Sequence, residues 1–254
     1  MKIRLALIGA AGRMGEAISR AAESQSDVDV VARARRDEPI RGLIRNCDVV
    51  IDVSSVAATE KVCDACVEHN KPLVIGTTGH SADQTNAIAT AAKAIPIVLA
   101  PNFSVGVNTL FWLTRKAAEL LGEDFDIEIV ESHHRLKKDA PSGTAKRLAE
   151  VLCEVRGLRY EEAVAHGREG MVDERTARQI GIHSIRAGDT VGEHTVVFAG
   201  AGERLELTHR ALNRDTFAVG ALQAVRWIVG RAPMLYTMEH VLGLEVVQLS
   251  KLQD

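Results

Sequence analysis

The chain has 254 residues, of which 46% are hydrophobic and 26% charged, a composition typical of a globular protein with a substantial core. Its formal net charge is -3, so no overall positive field favours binding to nucleic acid or to an anionic membrane surface. The aromatic share of 4% argues against a module that stacks single-stranded bases. The apolar runs are too short for a membrane span or a signal peptide, so we expect a cytoplasmic protein.

The first hundred residues alternate between strand-like and helix-like segments. Continuous apolar strands separated by helices are typical of a parallel sheet that is covered on both faces. The pattern therefore predicts an α/β, doubly wound, Rossmann-like domain. The predicted strands are Ile3–Ile8, Val28–Ala32, Asp48–Val53, Pro72–Ile75 and Ile95–Ala100, and the predicted helices are Glu16–Ala22, Ala57–His69 and Gln84–Lys93.

After Asn102 the order of elements changes, which predicts a second domain of α+β type. Residues 157–180 are polar and lack periodicity, so we expect a long loop there. The helix Phe217–Val229 and the tail after it are expected to return to the first domain. The other predicted elements are helices over Val107–Leu121 and Gly143–Val155, a half-buried strand over Phe125–Ser132, and strands over Ile182–Arg186, His194–Phe198 and Arg204–Thr208.

Cys63 and Cys66 form a C-x-x-C pair, a spacing found in redox and metal sites. The pair lies inside a helix-like run, however, and no second cysteine pair follows it. Cys47 and Cys153 are isolated. We expect reduced, buried cysteines that serve packing.

A glycine-rich loop, Gly9-Ala10-Ala11-Gly12-Arg13-Met14-Gly15, follows the first predicted strand directly. Glycines let the backbone turn tightly and approach a pyrophosphate, while the N-terminus of the next helix offers free N–H groups to the anion. The loop therefore indicates a dinucleotide site. The alternative is a glycine turn that serves only tight packing.

The end of the second predicted strand bears on the choice of cofactor. An acid there binds the ribose hydroxyl of NADH, whereas an arginine accommodates the 2′-phosphate of NADPH. This chain carries Arg33, Arg35 and Arg36 there, with no acid before Asp37. We therefore expect NADPH to be preferred over NADH, and the alternative is a solvated run of charge.

The segment Glu128–Ala145, EIVESHHRLKKDAPSGTA, concentrates groups that bind anions and transfer protons. A half-buried strand ends at two histidines, Lys137 follows, and a helix begins near Pro141. Cations facing a helix N-terminus bind carboxylates well, and a histidine beside them exchanges protons near neutral pH. The alternative is a solvated strand end followed by an ordinary helix cap.

This segment closely resembles the signature of the dihydrodipicolinate reductase family and meets every fixed position from Glu128 to Ala145. Other segments also resemble this family, so that the likeness covers nearly the whole chain: Gly9–Gly15, Gly76–Gly79, Pro101–Asn108 and Arg186–His194. One departure is Arg35, since family members often carry an acid at the end of that strand.

The resemblance implies reduction of a cyclic imine dicarboxylate, 4-hydroxy-tetrahydrodipicolinate, by NADPH or NADH in diaminopimelate and lysine biosynthesis. It makes residues 1–103 and 215–254 the dinucleotide-binding domain, and residues 104–214 the substrate-binding and oligomerisation domain. His133 and Lys137 would then be catalytic, and His134, Gly143 and Thr144 would bind substrate. The cofactor would be lined by Gly9, Ala10, Ala11, Gly12, Arg13, Met14, Arg35, Arg36, Gly76, Thr77, Thr78, Ala100, Pro101, Asn102 and Phe103.

Three alternatives are weighed against this interpretation: another two-domain dehydrogenase, such as an aspartate or homoserine dehydrogenase, a catalytically silent dinucleotide sensor, and a nucleic-acid module. A silent sensor would have lost His133 or Lys137, and both are present. The remaining histidines show no metal-ligand spacing, so no metal is expected. The family resemblance and the strand-rich second domain together predict a homotetramer.

Overall fold

A computed structural model of the chain describes residues 2–35 and 38–244. Its strands are β1 (Ile3–Ile8), β2 (Val28–Ala34), β3 (Val49–Asp52), β4 (Leu73–Ile75), β5 (Pro96–Leu99), β6 (Asp126–His133), β7 (Val164–His166), β8 (Ile180–Arg186), β9 (Gly192–Ala199), β10 (Arg204–Ala211) and β11 (Met234–Tyr236). Its α-helices are α1 (Arg13–Glu23), α2 (Ile40–Leu43), α3 (Thr59–Glu68), α4 (Ala82–Ala91), α5 (Val105–Leu121), α6 (Gly143–Arg156), α7 (Tyr160–Ala163), α8 (Asp215–Ile228) and α9 (Met238–Leu242). Among these described helices, none combines the length and the apolar character that a membrane crossing requires.

The described residues divide into two compact units. One unit comprises those of Met1–Val105 and Asp215–Asp254, and the other is Gly106–Arg214. The boundary thus falls two residues beyond the predicted one on the N-terminal side, inside the first turn of α5.

The first unit contains a sheet of six parallel strands in the order β11-β5-β4-β3-β1-β2. Successive residues of β1 face opposite sides: Leu5 and Leu7 join one apolar cluster, and Ala6 and Ile8 join the other. Helix α8 contributes to the first cluster, and β11 pairs with β5. The prediction of a doubly wound α/β domain is confirmed.

The strand order places a natural ligand crevice beside β1. The chain runs from β1 to β2 on one side and then returns to β3 on the other side of β1. In parallel sheets, ligands bind outside the carboxyl ends of the strands at such a reversal. The glycine-rich loop leaves β1 at that point.

Three helices of this unit begin earlier than the sequence predicted, and one of them is α8, which begins at Asp215 rather than Phe217. Helix α1 starts at Arg13 because extended Gly12 is its N-cap residue. Helix α4 starts at Ala82 because Ser81 and Gln84 form a capping box, each side chain bonding the other's backbone N–H. The short helix α2 was not predicted.

The second unit contains a mixed sheet in the order β10-β9-β6-β8-β7. Central β6 runs antiparallel to β9 and parallel to β8. Alternate residues of β6 and β9 pack against α6 in one apolar cluster that includes Ile127, Ile129, Val196, Phe198 and Leu148. This agrees with the α+β prediction.

The prediction of a loop over residues 157–180 was partly wrong. The segment forms helix α7 and strand β7, which pairs with β8 at the edge of the sheet. These elements have four and three residues, too short to show a period in sequence. Residues 167–179 do connect β7 to β8 without regular structure.

Cys47, Cys63, Cys66 and Cys153 are free and buried, so the prediction of buried cysteines is confirmed. Cys63 and Cys66 face the apolar cluster beneath α3. Burial raises the pKa of the Cys63 thiol to about 12, which leaves little thiolate at neutral pH.

Candidate active site

The second-unit site is built on the last residues of β6. The alternation that buries Ile127 and Ile129 also places Glu131 and His133 on the buried face. Because β9 and β8 flank β6, this face also receives side chains from both neighbours. The strand therefore delivers a carboxylate and an imidazole to one enclosed place.

Glu131 is the most enclosed charged group of the site, with a side chain that is 0% exposed. Arg186 donates to both carboxylate oxygens, at 2.9 and 2.8 Å, and the backbone N–H of Ser142 donates at 3.1 Å. Burial alone would raise the pKa of Glu131, but hydrogen bonds from Arg186, Ser184 and His133 lower it to about 2. The group is therefore an ionised carboxylate at neutral pH.

His133 lies against this carboxylate, with 2.5 Å between its Nδ1 and Oε2 of Glu131. Burial lowers the pKa of His133 below its usual value, although the carboxylate acts in the opposite direction. Its other nitrogen, Nε2, lies beside Gly192, where a Cβ atom would stand 3.0 Å away. The missing side chain leaves space at Nε2.

His194 of β9 forms the opposite wall. Its ring lies 5.2 Å from that of His133, edge to face, and its Nε2 is 3.0 Å from the Ser142 hydroxyl. Burial lowers the pKa of His194 to about 3, so this ring is neutral. Ser142 also caps α6 by accepting from the N–H of Ala145. Ser142 thereby joins the helix start to both Glu131 and His194.

The loop after β6 and the first turn of α6 carry the remaining residues that were predicted to be catalytic or to bind substrate. Lys137 donates to Asp139 at 2.8 Å and helps to lower the pKa of His133. The His134 N–H donates to the carbonyl of Thr190 at 2.7 Å. Gly143 and Thr144 lie in the first turn of α6, and a Cβ built on Gly143 has no atom within 4 Å beyond its chain neighbours and its own helix backbone. The helix start is thus open to a ligand.

The donor atoms of Glu131, His133 and His194 lie within 4.8 Å of one another, a spacing that a metal ion could use. The Glu131 oxygens, however, already accept N–H groups from Arg186 and Ser142, and Oε2 also contacts Nδ1 of His133. A guanidinium beside the carboxylate also repels cations. The chemistry of this cluster therefore favours an anionic ligand over a metal.

Three members of this cluster were not predicted from the sequence, although they lie in segments that resemble the family. Glu131 stands inside the signature, and Arg186 and His194 lie in another family-like segment, but none received a role. Their shared place depends on pairing between distant strands. The one available signal was the Glu-x-His spacing on an alternating strand.

The first-unit site is formed by the glycine-rich loop at the strand reversal. Gly9 has a φ of +86°, and a Cβ there would stand 2.7 Å from Cα of Ser54. The loop therefore packs directly on the residues after β3, as only glycine allows. Gly12 caps α1 without a side chain, which leaves the helix N-terminus open to an anion.

A cavity of about 890 Å³ opens beside this loop, large enough for part of a dinucleotide. Predicted residues that line it are Gly9, Ala11, Gly12 and Arg35, joined by Ser54 and Lys61, which the sequence did not single out. Ala10 and Arg35 line a second cavity of about 590 Å³.

The other predicted cofactor residues within the described part of the chain do not line these two cavities. Gly76, Thr77 and Thr78 follow β4, and Ala100–Phe103 follow β5, at the same edge of the sheet. Ala100 and Phe103 are buried in the apolar core, against which Met14 also packs. Phe103 in turn packs over Gly76, where a Cβ would collide with its ring. Arg13 begins α1.

The end of β2 carries both a positive group, which suits a ribose 2′-phosphate, and a negative group, which suits a ribose hydroxyl. Arg35 lines both cavities, and its N–H donates to Glu38 at 2.8 Å. Glu38 lines the same two cavities, so a carboxylate is present although the sequence showed none before Asp37. Arg33 lines the smaller cavity. Arg36 lies outside the described residues.

Comparisons with known proteins cover both units. Residues 3–103 match the family model "Dihydrodipicolinate reductase, N-terminus", and residues 106–242 match "Dihydrodipicolinate reductase, C-terminus". A 4-hydroxy-tetrahydrodipicolinate reductase of Akkermansia muciniphila is 53% identical over 95% of this chain and 98% of its own. A 4-hydroxy-tetrahydrodipicolinate reductase of Geobacter metallireducens is 43% identical, and the match covers 95% of this chain and 99% of that one.

A solved structure gives the same likeness in three dimensions. The dipicolinate-bound dihydrodipicolinate reductase from Paenisporosarcina sp. TG-14 matches with a TM-score of 0.80 and 27% identity. The match covers 94% of this chain and 99% of that one.

Proposed function

The chain belongs to the dihydrodipicolinate reductase family, and we propose that it reduces 4-hydroxy-tetrahydrodipicolinate to tetrahydrodipicolinate with NADPH or NADH, a step of diaminopimelate and lysine biosynthesis. The observation that carries the proposal is the complete Glu128–Ala145 segment, folded into a buried Glu131–His133 pair beside an open helix start. The reaction replaces a ring hydroxyl by hydrogen, so it consumes one hydride and one proton and releases water.

The second unit supplies binding and proton transfer. The substrate carries two carboxylates, which suits Lys137, His134 and the N–H groups of Gly143 and Thr144 at the start of α6. His133 exchanges the proton, and Lys137 is the second proton donor. Arg186 adds a positive charge behind the site without giving up its bonds to Glu131.

The first unit holds the cofactor. The loop Gly9–Met14 and the N-terminus of α1 suit the pyrophosphate, and Arg35 with Arg36 suits a 2′-phosphate. The reduced nicotinamide, when bound, supplies the hydride. The preference for NADPH is part of this proposal, and Glu38 beside Arg35 is the group that would oppose it.

The reaction and its site are tested by following nicotinamide absorbance while a coupled synthase makes the substrate from pyruvate and aspartate semialdehyde. We expect oxidation that needs the cyclic substrate and falls about 10²- to 10⁴-fold in kcat/KM for His133→Ala and Lys137→Ala. Substrate-independent binding of cofactor without turnover would contradict the proposal and favour a dinucleotide sensor.

Cofactor preference is tested by comparing KM for NADPH and NADH in the wild type, Arg35→Ala and Glu38→Gln. Losing the guanidinium is expected to raise KM for NADPH about tenfold or more with little change for NADH. Removing the Glu38 charge is expected to strengthen NADPH binding. A clear NADH preference in the wild type would overturn the assignment of Arg35.

A homotetrameric assembly and a place in the cytoplasm stay predictions. Both rest on the family membership and on the strand-rich second unit rather than on any contact between copies.

A further inference from the structure

Glu131 contacts the histidine of the proposed reaction, and Arg186 binds both oxygens of Glu131. We propose that they form a positioning pair, which keeps one proton of His133 on Nδ1 and leaves Nε2 to exchange the proton that the reaction consumes. The inference deepens the proposed function and rests on it for the identity of the substrate.

The first step concerns the protonation state of Glu131. Its Oε1 accepts from the Ser142 N–H and from Nη2 of Arg186, while its Oε2 accepts from Nη1 of Arg186 and contacts Nδ1 of His133. Three of these partners are donors in every state at neutral pH. A buried carboxyl that receives such donors on both oxygens is ionised and has no hydrogen to give. The fourth partner, Nδ1 of His133, must therefore carry a proton.

The second step concerns the other nitrogen of His133. A neutral ring with its hydrogen on Nδ1 presents a lone pair at Nε2. Gly192 is the residue of β9 beside that nitrogen, and it has no side chain to cover it. A proton from solvent can load Nε2 to give the imidazolium, which passes this proton to the substrate. The ring then returns to the neutral form with its Nδ1 hydrogen still on Glu131.

The third step is the balance of charge. A lone buried carboxylate would make His133 strongly basic, but burial of the ring opposes it, and the charges of Lys137 and of Arg186 on β8 act in the same direction as burial. The pKa of His133 therefore stays below its usual value. Neutral His194 of β9 faces His133, and His209 of β10 in turn acts on His194. The loop after β6 adds the ion pair of Lys137 with Asp139, and Lys137 acts directly on His133. Glu131 thus orients the ring, and Arg186 limits its basicity.

This division of roles makes the two residues act in opposite directions. If His133 acts as an acid, kcat/KM falls as pH rises through its pKa. Glu131→Gln removes the negative charge, so this fall should move to lower pH. Arg186→Met removes the positive charge, so the fall should move to higher pH. If the two residues only supported the structure, the two substitutions would not shift the pH profile of kcat/KM in opposite directions.

The chain offers a matched control in Glu128 on the same strand. Its carboxylate is also bound by two arginines and a histidine, Arg168, Arg175 and His183, and its pKa is likewise lowered to about 2. Glu128 has no bond to His133. Glu128→Gln therefore removes a similarly bonded carboxylate from the same strand but leaves the contact that positions His133 intact.

The experiment combines ¹⁵N NMR of histidine-labelled, ligand-free protein with pH profiles of kcat/KM for the wild type and the three variants. In the wild type we expect His133 protonated at Nδ1 and unprotonated at Nε2. In Glu131→Gln we expect kcat to fall on the order of ten- to a hundredfold, as for other groups that orient a histidine, with KM within a few-fold. Glu128→Gln should retain the wild-type profile.

Two results would overturn the inference: a wild-type His133 protonated on Nε2 alone, or equal kinetic effects of Glu131→Gln and Glu128→Gln. The wild-type spectrum needs no variant, so it decides the tautomer even if Glu131→Gln fails to fold. It also needs no substrate. A wild type with the expected tautomer that does not reduce the cyclic substrate would therefore sink the proposed function alone.

Discussion

At the residue scale, His133 illustrates how enclosure and charge act against each other. The ring touches a carboxylate, which favours the imidazolium, yet burial and the nearby Lys137 and Arg186 lower its pKa. A histidine of this kind is neutral in the resting protein, so it must take up a proton during turnover before it can donate one. The balance depends on Glu131 being paired, since an unpaired buried carboxylate would hold the proton too firmly.

Gly192 is a second residue that bears on proton transfer, because its missing side chain leaves space beside Nε2 of His133. A methyl group at this position would stand 3.0 Å from Nε2 of His133, so the ring would have to move. We expect Gly192→Ala to lower kcat about tenfold or more while the thermal unfolding midpoint changes little. The measurement is turnover alongside a thermal melt, with Gly42→Ala as control because a Cβ there has no atom within 4 Å beyond its chain neighbours and its own helix backbone. Wild-type kcat in Gly192→Ala would show that Nε2 is not the working nitrogen.

At the element scale, two of the three carboxylates of β6, Glu131 and Glu128, have separate tasks. Glu131 serves the site, while Glu128 holds residues 167–179 through Arg168 and Arg175. Arg175 also donates to the carbonyls of Ile127 and Gln179, at 3.0 and 2.6 Å. A segment without regular structure is thus fixed to the sheet by charge-assisted hydrogen bonds rather than by apolar packing.

The stability that Glu128 provides should depend on pH. Because its pKa is lowered from 4.5 to about 2 in the folded protein, its contribution is complete above about pH 4.5 and is lost as pH falls towards 2. We expect Glu128→Gln to cost about 1–2 kcal/mol of unfolding free energy at neutral pH, and this cost to shrink below about pH 4.5. Urea unfolding at several pH values measures it.

Glu119→Gln is the control for that series. Glu119 pairs with Lys116 one helical turn away on an exposed face, where ion pairs contribute little. Its substitution should change the unfolding free energy by less than about 0.5 kcal/mol at any pH. A cost for Glu128→Gln that stays constant down to pH 3 would refute the electrostatic explanation.

At the scale of the whole molecule, the sheet of the second unit has an open edge. Strand β10 lies at the end of the described sheet, and most of its side chains are exposed. Free backbone groups along a long edge strand favour pairing with another chain unless they are covered. We therefore expect self-association through this unit, as a homotetramer. Light scattering of the purified protein over a range of concentrations tests it, and a monomer would overturn the prediction.

Much of the fold could be predicted because its signals are local. The apolar strands and their spacing predicted the parallel sheet, and the alternation in β6 predicted its half-buried character. Boundaries were less predictable where a cap decides them, as at Gly12 and Ser81. The elements α7 and β7 escaped prediction because their stability comes from packing on neighbours rather than from their own few residues.

The sequence by itself determined the family, the glycine-rich loop and the signature segment Glu128–Ala145, because these are patterns of neighbouring residues. Only the tertiary structure decided which groups act on that segment. Arg186 lies 55 residues from Glu131, and His194 lies 52 residues from Ser142, yet each pair is in hydrogen-bond contact. Sheet register creates such contacts, and register is set by the burial of whole strands rather than by any one residue.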